Sequence, residues 1–200
     1  MKGFIRCSQA ILIFAGVCLV VVPEEIFPLY YRPQLMALAA LVYCVVIELP
    51  VFVFRLSRNG RSDDARYVAR TQFQVALAIG FLLGGLGSLG LWQLHTVGIP
   101  YDKFVHFTFS MLLTIFGANL LRVWHAWSLK KSLLILLALV TSLGAVWECI
   151  ELLSDRWLNF GYFGSLFDHD SLRDVMINIM GALVGSGILA FWRRRVSVSQ

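Results

Sequence analysis

Seven side chains able to carry charge or bind an ion recur at helical spacing in this chain. They are Asp102 and His106 at i and i+4, Glu148, Glu151 and Asp155 at i, i+3 and i+7, and Asp174 and Asn178 at i and i+4, with Lys103 beside the first pair. At roughly 100° per residue each set lies on one narrow helix face. An imidazole nitrogen with carboxylate oxygens is a donor set that Zn²⁺, Mn²⁺ or Mg²⁺ accepts. The candidate metal ligands are His106, Glu148, Glu151 and Asp174, and a divalent cation would neutralise carboxylates that otherwise repel one another. The same groups could relay a proton, or simply pair among themselves. No His-Glu-x-x-His motif, serine elbow or phosphate-cradling loop accompanies them.

The surrounding sequence has the composition of a membrane protein. Of the 200 residues 58% are hydrophobic and 14% charged, a balance outside the range of ordinary soluble domains. Apolar runs recur at about 3–22, 35–54, 73–94, 104–121, 132–153 and 175–192. Each is close to the roughly 20 residues that cross the hydrocarbon as a helix, and backbone groups inside a bilayer must be satisfied within the segment. The expected fold is therefore all-α: a single polytopic bundle of six transmembrane helices spanning residues 1–200, with no linker, low-complexity tract or internal repeat.

Basic residues orient the bundle. Thirteen of the seventeen lysines and arginines fall on one set of alternate connections, among them Arg55 to Arg70, Arg122, Lys130, Lys131 and Arg193 to Arg195; only Arg32, Lys103, Arg156 and Arg173 fall on the other. The positive-inside rule then predicts both termini in the cytoplasm. The net charge of +5 follows from this loop bias, and no basic stripe with interleaved aromatics marks a nucleic acid as partner. The expected partner is the lipid bilayer; no segment of the sequence marks a protein partner. Nine of the twelve acids lie toward the outer side. Because acids contribute little to topology, this bias needs its own cause.

Several features have ordinary explanations. The first span carries Lys2 and Arg6 ahead of an apolar stretch, but Val20-Val21-Val22-Pro23 offers no small-residue cleavage site, so it reads as a retained anchor. Cys7, Cys18, Cys44 and Cys149 lack metal spacing and read as small packing residues, with Cys18 and Cys149 both toward the outer half. Gly80-x-x-x-Gly84 and Gly181-x-x-x-Gly185 predict close helix contact. Asp102 after Pro100 is a natural N-cap and Ser171-x-x-Asp174 has capping-box spacing. Capping does not account for Glu148 and Glu151, late in a helix where the dipole disfavours negative charge. Trp157, Phe160, Tyr162, Phe163 and Phe167 suit an interfacial belt, or a flap over the acids.

Three segments together resemble the YjdF-like bacterial inner-membrane proteins: Tyr101-Asp102-Lys103-Phe104-Val105-His106-Phe107, Trp147-Glu148-x-x-Glu151, and Asp170-x-x-x-Asp174-x-x-x-Asn178-x-x-Gly181-Ala182-Leu183-Val184-Gly185. The Asp-Lys-x-x-His and Asp-x-x-x-Asn-x-x-Gly pieces are more distantly similar to VanZ-like membrane proteins. The resemblance covers mainly Leu94 to Gly187, with an echo in Ile47-Glu48-Leu49-Pro50, where Leu49 replaces the asparagine expected after the glutamate. It implies a multi-pass protein of the bacterial inner (cytoplasmic) membrane and brings no established activity. The leading expectation is a structural or accessory role in the envelope. The alternatives are a metal-assisted or acid–base hydrolase on a lipid-linked substrate, and a proton- or cation-coupled transporter using Glu48 with Glu148 and His106.

Overall fold

A computed structural model describes residues 1–21, 33–56, 64–158 and 170–198. Six α-helices follow in order: α1 Lys2–Val21, α2 Pro33–Leu56, α3 Asp64–Ser88, α4 Tyr101–His125, α5 Leu129–Leu158 and α6 Asp170–Val198. All six are long and apolar enough to cross a membrane, and no strand occurs among the described residues. The side chains of Asp155 and Trp157, the segment holding Phe160, Tyr162, Phe163 and Phe167, and Glu24, Glu25 and Asp168 lie outside the described residues.

The helix limits follow local chemistry. The third apolar run, read from sequence as 73–94, divides: α3 begins at Asp64 and stops at Ser88, and Leu91–Val97 form a short 3-10 helix. Its flanking glycines explain the break, since Gly90 at φ 125° and Gly98 at φ 80° adopt positive φ that residues with a Cβ rarely take. Trp92 of this segment packs edge-on to Tyr101, whose hydroxyl donates to the Leu83 carbonyl at 2.8 Å. The 3-10 turn is thus tied to the start of α4. At the far end of α4, Ala126 is left-handed at φ 55°, and Ser128 Oγ accepts the Lys131 N–H at 3.3 Å, capping α5.

Packing divides the helices into two trios. Helices α1, α2 and α3 touch one another, α4, α5 and α6 do likewise, and α3 against α4 joins them. The closest pair is α4 with α6, and glycines make that possible. A Cβ on Gly185 would stand 2.6 Å from the Met111 carbonyl oxygen, and one on Gly181 would overlap that of Phe107. In the other glycine pair only Gly80 has this function, against the Phe109 ring; Gly84 faces open space.

The pattern of burial is inverted relative to a water-soluble bundle. Ser8, Gln9, Thr71, Gln74, Ser110, Thr114 and Asn178 are buried, while Phe14, Val45, Phe52, Leu143 and Leu172 are outward-facing and exposed. Lipid is as apolar as leucine, so small and polar residues gain most by leaving it.

Candidate functional site

The start of α4, the end of α5 and the start of α6 meet at one end of the second trio, and each brings its polar face inward. Asp102, Lys103 and His106 come from α4, Glu148 and Glu151 from α5, Asp174 and Asn178 from α6. Glu148, Asp174 and Asn178 are buried, at 5%, 4% and 4% exposure. A membrane-depth carboxylate so enclosed needs compensation within the protein.

His106 is the hub. Its Nε2 lies 3.3 Å from Asp102 Oδ1, one turn back on α4, and 3.8 Å from Glu148 Oε1 on α5. Its Nδ1 lies 3.3 Å from Asn178 Oδ1 on α6. That amide oxygen also accepts the Ser110 hydroxyl at 2.7 Å, so the Nδ1 position carries the ring proton and donates it. Nε2 is then directed at two carboxylates. A bare nitrogen lone pair beside carboxylate oxygens is repulsive, so this position calls for a cation, either a proton on Nε2 or a metal ion bound to it.

Lys103 supplies one positive charge from the protein itself. Its Nζ stands 2.5 Å from Asp174 Oδ1 and 3.2 Å from Asp102 Oδ2. One lysine does not balance the group, because four carboxylates, Asp102, Glu148, Glu151 and Asp174, share this end of the trio. Glu148 Oε1 is buried and accepts no hydrogen bond, although Ser171 reaches the same carboxylate from the start of α6. The Trp147 side chain reaches Glu151. One ligand atom each from Asp102, His106 and Asp174 lies within 4.8 Å of the others, close enough for a common metal ion.

Two simpler explanations for these acids fall away. The residue preceding α4 is Pro100, with no side-chain cap, so Asp102 sits inside the first turn and spends its oxygens on Lys103 and His106. Helix α6 begins at Asp170, which puts Ser171 within the helix rather than at its N-cap, and Asp174 a full turn in. Asp102 and Asp174 still benefit from the positive end of the helix dipole. Asp155 extends the α5 face toward the same end, with its side chain outside the described residues.

Sequence reasoning passed over two contributors. Ser110 is one turn below His106 and fixes Asn178; its i+4 spacing was the available signal. Gly144 has no signal in spacing at all. A Cβ there would stand 2.6 Å from Asn178 Nδ2, so the glycine makes the space in which the amide sits. Glu48 lies elsewhere, at the other end of the first trio, where Arg6 holds it at 2.9 Å and Gln9 Nε2 donates to it at 3.0 Å. All four cysteines are free thiols.

Residues 7–195 match a family described as predicted membrane protein (DUF2238). The chain belongs to that family. The match runs from α1 into the last turns of α6 and so takes in every helix that contributes to the site. No curated protein and no solved structure is detectably similar to the chain.

Proposed function

We propose that this membrane protein binds a divalent cation between α4, α5 and α6, with His106 Nε2, Asp102, Asp174 and Glu148 as ligands. The observation that carries the reading is Glu148 Oε1: buried, without a hydrogen bond, and 3.8 Å from the imidazole nitrogen that already faces Asp102. A buried carboxylate oxygen left without a donor costs on the order of 1–3 kcal/mol, and a cation at that point would remove the cost. Lys103 occupies the other side of the cluster on a long flexible stem, and binding would draw it away from Asp174. The mixed nitrogen and oxygen donor set suits Zn²⁺ or Mn²⁺ better than Mg²⁺, which favours all-oxygen shells with bound water.

The distribution of basic residues supports a site on the non-cytoplasmic face, with both termini inside, of what the family resemblance implies is a bacterial inner membrane. The likeness to YjdF-like and, more distantly, VanZ-like proteins agrees with that setting, and an accessory role in the envelope is the broad function it supports. Hydrolysis of a lipid-linked substrate would require the metal first, so it stands or falls with it. Transport through Glu48 is disfavoured because Arg6 and Gln9 already engage that acid. A second reading, a closed structural ion network with Lys103 and a protonated His106 as its cations, is favoured by the 2.5 Å contact of Lys103 with Asp174.

Metal content of the purified protein separates the two. Near-stoichiometric Zn²⁺ or Mn²⁺ in wild type, lost in His106→Ala and Glu148→Gln, is the expected result. Metal-free wild type that stays so after incubation with either ion, with both variants strongly destabilised, would establish the structural network instead.

A further inference from the structure

At the opposite end of the bundle, the start of α3 and the ends of α4 and α6 bring together arginines, with no carboxylate paired to them among the described residues. Arg193 Nη2 donates to Asn119 Oδ1 at 3.1 Å, and Asn119 Nδ2 donates to Gln72 Oε1 at 3.4 Å, stitching α6, α4 and α3 together. Arg122 is one turn beyond Asn119 on α4, close enough to Arg193 for the two charges to repel. With Gln72 opposite Asn119, antiparallel register sets Arg122 across from Ala69, between Arg66 and Arg70. The Nε atoms of Arg66, Arg70 and Arg122, and Nη1 of Arg122, are buried and donate no hydrogen bond.

Topology alone does not explain this. The positive-inside rule asks for charge in a connection, and exposed lysines such as Lys130 and Lys131 meet it. It does not ask for guanidinium N–H groups withdrawn from solvent beside a like charge. The carboxyl end of α4 favours a cation at Arg122, yet its carbonyls accept neither buried N–H. Among the described residues the acids at this end are Glu48, engaged by Arg6, and Asp64, exposed in the first turn of α3. Neither bonds Arg122.

We propose that Arg122 and Arg193, flanked by Arg66 and Arg70, hold a phosphate oxyanion. The planar guanidinium fork matches two phosphate oxygens at once. At the end of a membrane bundle two sources share this chemistry, the headgroup of an anionic phospholipid and free phosphate. One of the flanking arginines packs on aromatics in a way that suits the headgroup depth: the Arg70 guanidinium lies 5.1 Å from the Phe54 ring centre and 5.0 Å from that of Tyr67, and Phe54 meets Trp124 edge-on at 5.5 Å.

The test uses the full-length protein in a neutral detergent, with phosphatidylglycerol, phosphatidylcholine or sodium phosphate added. Native mass spectrometry reads bound lipid, and thermal unfolding reads stabilisation. Retention of phosphatidylglycerol over phosphatidylcholine, weakened roughly five- to tenfold in Arg122→Gln and again in the exposed Arg193→Gln, supports a headgroup site. Stabilisation by sodium phosphate alone, lost in the same variants, supports the oxyanion site with phosphate from solution. If Arg122→Gln does not fold, Arg122→Lys keeps the charge without the fork and should still weaken binding. Equal retention of both lipids, no response to phosphate, or variants that bind as wild type does would overturn the proposal.

Discussion

Glu48 and Glu148 both lie inside membrane-length helices, and the protein treats them in opposite ways. Glu48 is met by two donors: Arg6 and Gln9 from α1 both reach its Oε1, and its side chain keeps 35% exposure. Glu148 is enclosed to 6%, and its Oε1 has a histidine at 3.8 Å and no donor. The first is a satisfied acid that joins two helices. The second is a buried acid on α5 with one oxygen left without a donor, beside the close contact of α4 with α6. The difference shows that cost, rather than the mere presence of a charge, distinguishes a structural acid from a candidate ligand.

The enclosed acids should respond most strongly to loss of their one lysine. Lys103→Met leaves Asp174 buried without its counter-ion and should cost about 3–5 kcal/mol of stability in metal-free protein. Added Zn²⁺ or Mn²⁺ should restore much of that loss if the carboxylates form a cation site. Thermal or chemical unfolding with and without metal measures both effects. A loss that metal does not repair would leave Asp174 as half of a fixed ion pair.

A smaller effect is expected from the enclosure itself. Leucine at Gly181 or Gly185 must displace backbone carbonyls of α4, which cannot swing aside as a side chain does, and should cost on the order of 1–3 kcal/mol. Leucine at Gly84, which faces open space, should change unfolding by far less. Equal effects at all three positions would mean that the α4–α6 approach does not depend on missing side chains.

Orientation of the histidine should matter less again, and to binding more than to folding. Asn178→Ala removes the acceptor that holds Nδ1, and Gly144→Ala crowds the same amide; either should weaken metal binding about 10- to 100-fold, as loss of a supporting hydrogen bond does elsewhere. Isothermal titration would read it. At the satisfied acid, Arg6→Met should change stability by no more than about 1 kcal/mol, because an exposed pair is screened. A larger loss there than for Lys103→Met would reverse the contrast between the exposed acid at one end and the enclosed acids at the other.

Much of this arrangement was legible in the residues. Hydrophobic run length gave six helices, and i, i+4 spacing put Asp102 with His106 and Asp174 with Asn178. What spacing cannot report is which helices adjoin. Lys103 was visible only as a neighbour of Asp102, and its reach to Asp174 depends on the packing of α4 against α6. Asp102 looked like a cap because Pro100 precedes it, but a cap is decided by where the first helical residue falls, and Tyr101 already is helical. Gly144 carries no pattern of its own. Its meaning comes entirely from the Asn178 side chain that enters from α6. The end of α3 was obscured because Leu91, Trp92 and Leu94 continue the apolar run past Gly90, where the helix breaks.

Binding of a divalent cation by His106 Nε2 and the surrounding carboxylates would be read in the magnetic signature of Mn²⁺ added to the detergent-solubilised protein. Pulsed electron paramagnetic resonance detects the nucleus of a ligating nitrogen. The expected spectrum is that of one bound Mn²⁺ coupled to a single histidine nitrogen, with the coupling abolished in His106→Ala and binding weakened in Glu148→Gln. A spectrum indistinguishable from free Mn²⁺, or a nitrogen coupling that survives in His106→Ala, would contradict it.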